Sequence, residues 1–188
     1  MSLPAPRVLG DVIHGGVVRD VALVLGGSVL TGLAAQVSIP LLFTPVPLTL
    51  QTFAVLLVGA SLGTVRGVLS LGLYLGAGVV GVPWFSGGTS GAGGASFGYV
   101  LGFVIAAALA GRLAERGATR GPARTAGVMI LGNLAIYAVG VPWLMGFAHL
   151  GFPKALALGV VPFLLGDLIK VAVAAGFFPS AWRLAGHR

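Results

Sequence analysis

Residues 156–175 read LALGVVPFLLGDLIKVAVAA, twenty residues of which only Asp167 and Lys170 are charged. Twenty residues at 1.5 Å each make a helix of about 30 Å, the thickness of the hydrocarbon core of a bilayer. The stretch therefore reads as a membrane span. A carboxylate and an ammonium three residues apart share one helix face. Each costs roughly 2.5–3.5 kcal/mol unpaired at mid-bilayer, so an ionisable pair in a span marks a functional site by default. The plainer alternative is an ion pair that locks two helices together.

The rest of the chain fits that reading. Its 188 residues are 57% hydrophobic and 8% charged, with a mean hydropathy of +1.04. These values specify an all-α, multi-pass membrane protein, expected in the plasma membrane. The length suits one transmembrane domain over residues 1–188, with a cytoplasmic segment at 1–19, a six-helix bundle at 20–180 and no soluble catalytic module. The chain has no cysteine, so disulfides and thiolate metal sites are excluded. A net charge of +7 is scattered over loops and reads as membrane topology, with no nucleic-acid partner.

Gly, Pro and charge break the sequence into six apolar spans, at about 21–37, 52–62, 68–82, 97–110, 128–147 and 156–175. The first lacks a cleavage signature after it and reads as a retained helix. With the N-terminus inside, Arg7, Arg19, Arg66, Arg112, Arg116, Arg120, Arg124, Arg183 and Arg188 fall on one side, while Lys154 alone falls on the other. This asymmetry puts both termini in the cytoplasm.

The two outer loops, SIPLLFTPVPLTLQ at 38–51 and GVPWFSGGTSGAGGAS at 81–96, contain no charge. Such segments are expected to fold back over the helices, because irregular backbone at membrane depth is tolerated where it is buried or lines a cavity. Small-x-x-x-small pairs at Ala22/Gly26, Ser28/Gly32 and Gly72/Gly76 permit close helix packing and leave a homo-oligomer open.

Asp167 is expected about ten residues, or about 15 Å, below the outer end of the last span. Lys170, tilting toward the helix N-terminus, reaches the same depth, so the pair forms the polar floor of an outward cavity. Asn133 and Tyr137, one turn apart, and Tyr99 are candidate neutral donors. No phosphate-binding loop surrounds Lys154 or Lys170, and Glu115 is the sole glutamate, which excludes His-Glu-x-x-His metal chemistry. Gly94-Ala95-Ser96-Phe97 faintly resembles the nucleophile segment of rhomboid proteases, but no residue is evident to orient His149 as its base. The chain is not expected to be an enzyme or to need a cofactor.

Several motifs together match a known pattern: Ser38-Ile39-Pro40, Thr44-Pro45-Val46-Pro47-Leu48-Thr49-Leu50-Gln51, the glycine-rich loop ending in Phe97-Gly98-Tyr99-Val100-Leu101-Gly102-Phe103, and Gly166-Asp167-x-x-Lys170. The chain closely resembles the BioY family, the biotin-binding S-components of energy-coupling factor (ECF) transporters. The resemblance implies the S-component fold, capture of biotin from outside, and partnership with a transmembrane T-component and a pair of ABC-type ATPases. With the polar floor, the candidate ligand contacts are Asp167, Lys170, Tyr99, Gln51, Thr49, Trp84, Phe85, Gly87, Gly88 and Asn133. The resemblance also matches Ala22 and Gly26 to an Ala-x-x-x-Ala pair that docks the T-component. Where the family often has Gly-Pro-x-Gly-Gly-Tyr, this chain has Ala95-Ser96-Phe97-Gly98-Tyr99. An S-component for another vitamin, thiamin or riboflavin, and a small secondary transporter using Asp167 as a proton site remain as alternatives.

Overall fold

The structure, a computed structural model, describes residues 7–186. Residues 1–6 of the expected cytoplasmic segment, and Arg188, lie outside the described residues. Among the described residues seven α-helices follow one another: α1 Val17–Gln36, α2 Gln51–Leu62, α3 Thr64–Val79, α4 Phe97–Glu115, α5 Pro122–Ala148, α6 Phe152–Gly159 and α7 Leu164–Gly186. Two short strands, β1 Ser38–Ile39 and β2 Leu48–Thr49, pair antiparallel between α1 and α2.

Among the described residues four segments are long and apolar enough to cross a membrane: Val17–Gln36, Phe97–Glu115, Pro122–Ala148 and Phe152–Gly186. Helices α2 and α3 have 12 and 16 residues. Their faces follow the logic of a bundle in lipid. On α1, Gly27, Ser28, Thr31, Gly32, Ala34 and Ala35 point inward, while Val18 and Leu33 are 85% and 63% exposed. Small residues face protein because close fit drives helix association where the solvent is itself apolar. At the α4–α5 interface a Cβ on Gly102 would lie 2.9 Å from the Cα of Ile136.

The opening stretch is not one continuous helix. Helix α6 ends at Gly159, a 3-10 turn spans Val161–Phe163, and α7 starts at Leu164. Pro162 has no N–H and disfavours helical backbone at the residue before it; the Leu158 carbonyl that it leaves without a helical donor takes the Thr44 hydroxyl at 2.8 Å, and the neighbouring Gly159 carbonyl takes the Tyr99 hydroxyl at 2.9 Å. Asp167 therefore stands in the first turn of a helix rather than mid-span.

The basic segments gather at one end of the bundle. Arg66 pairs with Asp11 and Asp20, each at 2.9 Å. Glu115 accepts the Thr64 amide at 2.7 Å and so caps α3, next to a turn where Gly63 has φ +85° and only glycine is relaxed. The Trp182 indole N–H reaches the Thr119 hydroxyl at 3.1 Å. The uncharged loops lie at the opposite end and do fold back. Thr44 is buried and donates to the Leu158 carbonyl at 2.8 Å, and the Trp143 indole donates to the Gly94 carbonyl at 3.0 Å.

Candidate functional site

The break before α7 sets the site. The free amides and aligned dipoles of the first helical turn favour an anion there, and Asp167 occupies it, 6% exposed. Its two carboxylate oxygens are held from different sides. The Tyr137 hydroxyl of α5 donates to Oδ2, and Lys170, one turn along α7, donates to Oδ1 at 3.4 Å. Lys170 Nζ also donates to the Thr49 carbonyl at 2.8 Å and to the Thr52 hydroxyl at 2.7 Å. An ammonium has three N–H donors, and here all three are engaged. The lysine thus ties α7 to the start of α2.

Behind it lies a neutral chain. The Gln51 amide donates to the Tyr74 hydroxyl at 2.7 Å, which donates to the Trp84 carbonyl at 3.2 Å, and the Trp84 indole returns a bond to the Tyr74 carbonyl at 2.9 Å. The Gln51 backbone N–H is met by the Thr49 hydroxyl at 3.3 Å.

These residues surround a narrow cavity of about 40 Å³ whose lining includes Thr49, Gln51, Thr52, Tyr99, Tyr137, Asp167 and Lys170, with Leu48, Phe103 and Phe163 as apolar walls. A second, wider cavity of about 430 Å³ adjoins it under the glycine-rich loop, lined by Phe85, Thr89, Gly93 and Phe97 among others. Pro47, Gln51, Ser86, Ser96 and Val100 line both. Together they form one continuous recess with apolar walls and a few polar groups, the character of a small-molecule site.

Of the sequence candidates, Asp167, Lys170, Tyr99, Gln51 and Thr49 come together on the inner cavity, and Phe85 lines the outer one. Trp84, Gly87, Gly88 and Asn133 line neither. Trp84 packs on Gly32 and on the Tyr74 ring at 5.1 Å. Gly87 and Gly88, with φ of +70° and +69°, shape a loop turn. Asn133 is 7% exposed, with its carbonyl oxygen unpartnered inside the bundle. Thr52, Ser86 and the walls are not singled out by sequence; a hydroxyl in the first turn of α2, next to Gln51, is the available signal for Thr52. Ala22 and Gly26 are both exposed on α1, with nothing within 4 Å of a Cβ placed on Gly26.

The comparisons agree with this architecture. The BioY family model matches residues 6–187. The probable biotin transporter BioY of Pyrococcus horikoshii is 40% identical over 159 residues, covering 83% of this chain and 91% of that one. The biotin transporter BioY of Thermotoga maritima is 40% identical over 148 residues, covering 75% and 82%. In fold, the chain is similar to a crystal structure of the S-component for biotin from an ECF-type ABC transporter, with a TM-score of 0.79 at 24% identity, over 88% of this chain and 92% of that one. The chain belongs to the BioY family.

Proposed function

We propose that this BioY-family chain is the biotin-capturing S-component of an ECF-type uptake transporter in the plasma membrane. The observation that carries the reading is the buried Asp167 carboxylate on the inner cavity, with two bonds accepted and acceptor capacity remaining. The ureido ring of biotin offers two N–H donors and one carbonyl. The carboxylate accepts the N–H groups. Thr52, which accepts from Lys170, has its own hydroxyl proton for the ligand carbonyl. Lys170, saturated, positions Thr49 and Thr52 and balances the charge of Asp167. The ring end goes inward, because a carboxylate tail placed there would face Asp167.

In this reading α2 and α3 complete six spans, the termini are cytoplasmic and the uncharged loops close the cavity from outside. Nothing in the cavity chemistry hydrolyses nucleotide, so translocation energy comes from the ATPases through a T-component. The exposed small pair Ala22/Gly26 offers α1 for that docking. Equilibrium binding to the purified, detergent-solubilised protein tests the assignment. Biotin is expected to bind, and thiamin and riboflavin are expected not to; the opposite selectivity, or no binding at all, rejects it.

A further inference from the structure

Ser86 is the unusual group of the site. Its hydroxyl oxygen is fully buried and has no hydrogen-bond partner, although buried polar groups are nearly always paired. It stands where the two cavities meet, with Ser96 also lining both. The turn that carries it is held independently. Phe85 N–H bonds to the Thr89 carbonyl at 3.0 Å, and the Thr89 hydroxyl donates to the Ser86 carbonyl at 3.0 Å. The hydroxyl is therefore positioned without taking part in holding its own loop. Among the described residues, none lining the outer cavity is charged, and the lysine of the inner cavity has its three donors engaged.

On the reading of the inner cavity as the seat of the ureido ring, we infer that Ser86, with Ser96, forms a neutral hydrogen-bonding collar that takes the polar end of the ligand's side chain, so that the tail is recognised by hydrogen bonds and not by its charge. The apolar part of the tail passes between Pro47 and Val100, which share the junction. A hydroxyl donates and accepts, whereas lysine and arginine only donate. The collar therefore meets the acceptor oxygens of a carboxylate and the mixed C=O and NH₂ of a primary amide equally well. The specificity that follows is for the ring, with tolerance of uncharged tails.

The test compares biotin with its primary amide in equilibrium binding to the purified wild-type protein and to Ser86→Ala. Wild type is expected to bind the two within about tenfold of each other. Ser86→Ala is expected to weaken both by a similar factor, about two- to tenfold, the worth of one neutral hydrogen bond. The ligand-free Tm of Ser86→Ala should equal or exceed that of wild type, because an unpaired buried hydroxyl has been removed. A merely structural serine would lower it. Rejection of the amide by a hundredfold or more in a protein that binds biotin overturns the collar alone, since losing the partner of a buried cation has an effect of that size. Unchanged affinities in Ser86→Ala overturn it too. A wild-type protein that binds neither molecule overturns the biotin reading and this inference together.

Discussion

The two ends of the bundle use charge in opposite ways. At the end that carries Arg19, Arg66 and the 112–124 arginines, ion pairs are partly exposed and shared. Arg66 serves Asp11 and Asp20, and Arg19 also binds Asp20 at 2.8 Å. At the loop-covered end the carboxylate is buried, its ammonium partner is largely covered, and every N–H of the ammonium is used. Exposed pairs gain little because water competes for both partners. Buried ones are costly to create and costly to break, so they persist where they do chemistry. The first end ties helix ends together and caps α3; the second is where the ligand is proposed to be recognised.

The largest expected effect would break this contrast outright. With cysteine placed at Ser90 or at Ala118 in the cysteine-free chain, an impermeant maleimide on intact cells should label the first and spare the second. The reverse pattern inverts the bundle and puts the cavity inside.

Next comes Asp167→Asn, which keeps the shape but removes the anionic acceptor. A hydrogen bond to a charged group contributes about 1.5–3 kcal/mol, so biotin affinity should fall by about ten- to a hundredfold. If the mutant lost Tm while the folded fraction bound normally, the pair would be a structural lock.

Lys170→Met should have a somewhat smaller effect on affinity, about tenfold, through loss of the ties to Thr49 and Thr52. Its distinguishing sign is faster proteolysis within residues 40–50, since that loop is then held to α7 by fewer bonds. Normal protection with lost binding would instead make Lys170 a direct donor to the ligand.

The smallest effect is expected at the opposite end. Arg66→Gln should cost about 1 kcal/mol or less in stability and leave biotin affinity unchanged. Burial pushes the Asp11 carboxyl up, but bonds from Arg66 and from the Val8 and Arg7 amides outweigh it and hold the group below its ordinary value of 3.8. Its contribution is therefore complete above that value and is lost as pH falls through the lower, folded-state one. Wild type should lose more Tm than Arg66→Gln between neutral pH and pH about 3; equal losses would remove Arg66 as the cause.

Much of this was legible before any coordinates. Helices stand at the apolar runs with shifted ends, since Val17–Gln36 and Pro122–Ala148 extend beyond them by a turn or more, and four segments among the described residues have the length and apolarity of a span. Polar helix ends carry no hydropathy signal. The break in the last span carries no clear sequence signal because Gly159 and Pro162 are tolerated inside many membrane helices, and it is the bonds from Thr44 to the Leu158 carbonyl and from Tyr99 to the Gly159 carbonyl that satisfy the interruption here. Trp84 read as a ligand contact because an aromatic in a polar loop suits that role, but the small Gly32 on α1 gives its ring a seat inside the bundle. Ser86 carried no sequence signal at all, because a serine in a glycine-rich loop looks like solvent-facing linker.

The sequence by itself determined the membrane class, the polarity of the two ends and the pairing of Asp167 with Lys170, because each depends on composition or on the i, i+3 geometry internal to one helix. The tertiary structure alone decided what the pair does. The bonds that consume the lysine's donors reach Thr49 and Thr52, 121 and 118 residues away, and the second hand on Asp167 comes from Tyr137, 30 residues away. No local spacing rule governs such contacts. They exist because the 38–51 loop closes over the break before α7, and closure is set by how helices pack rather than by what any one helix prefers.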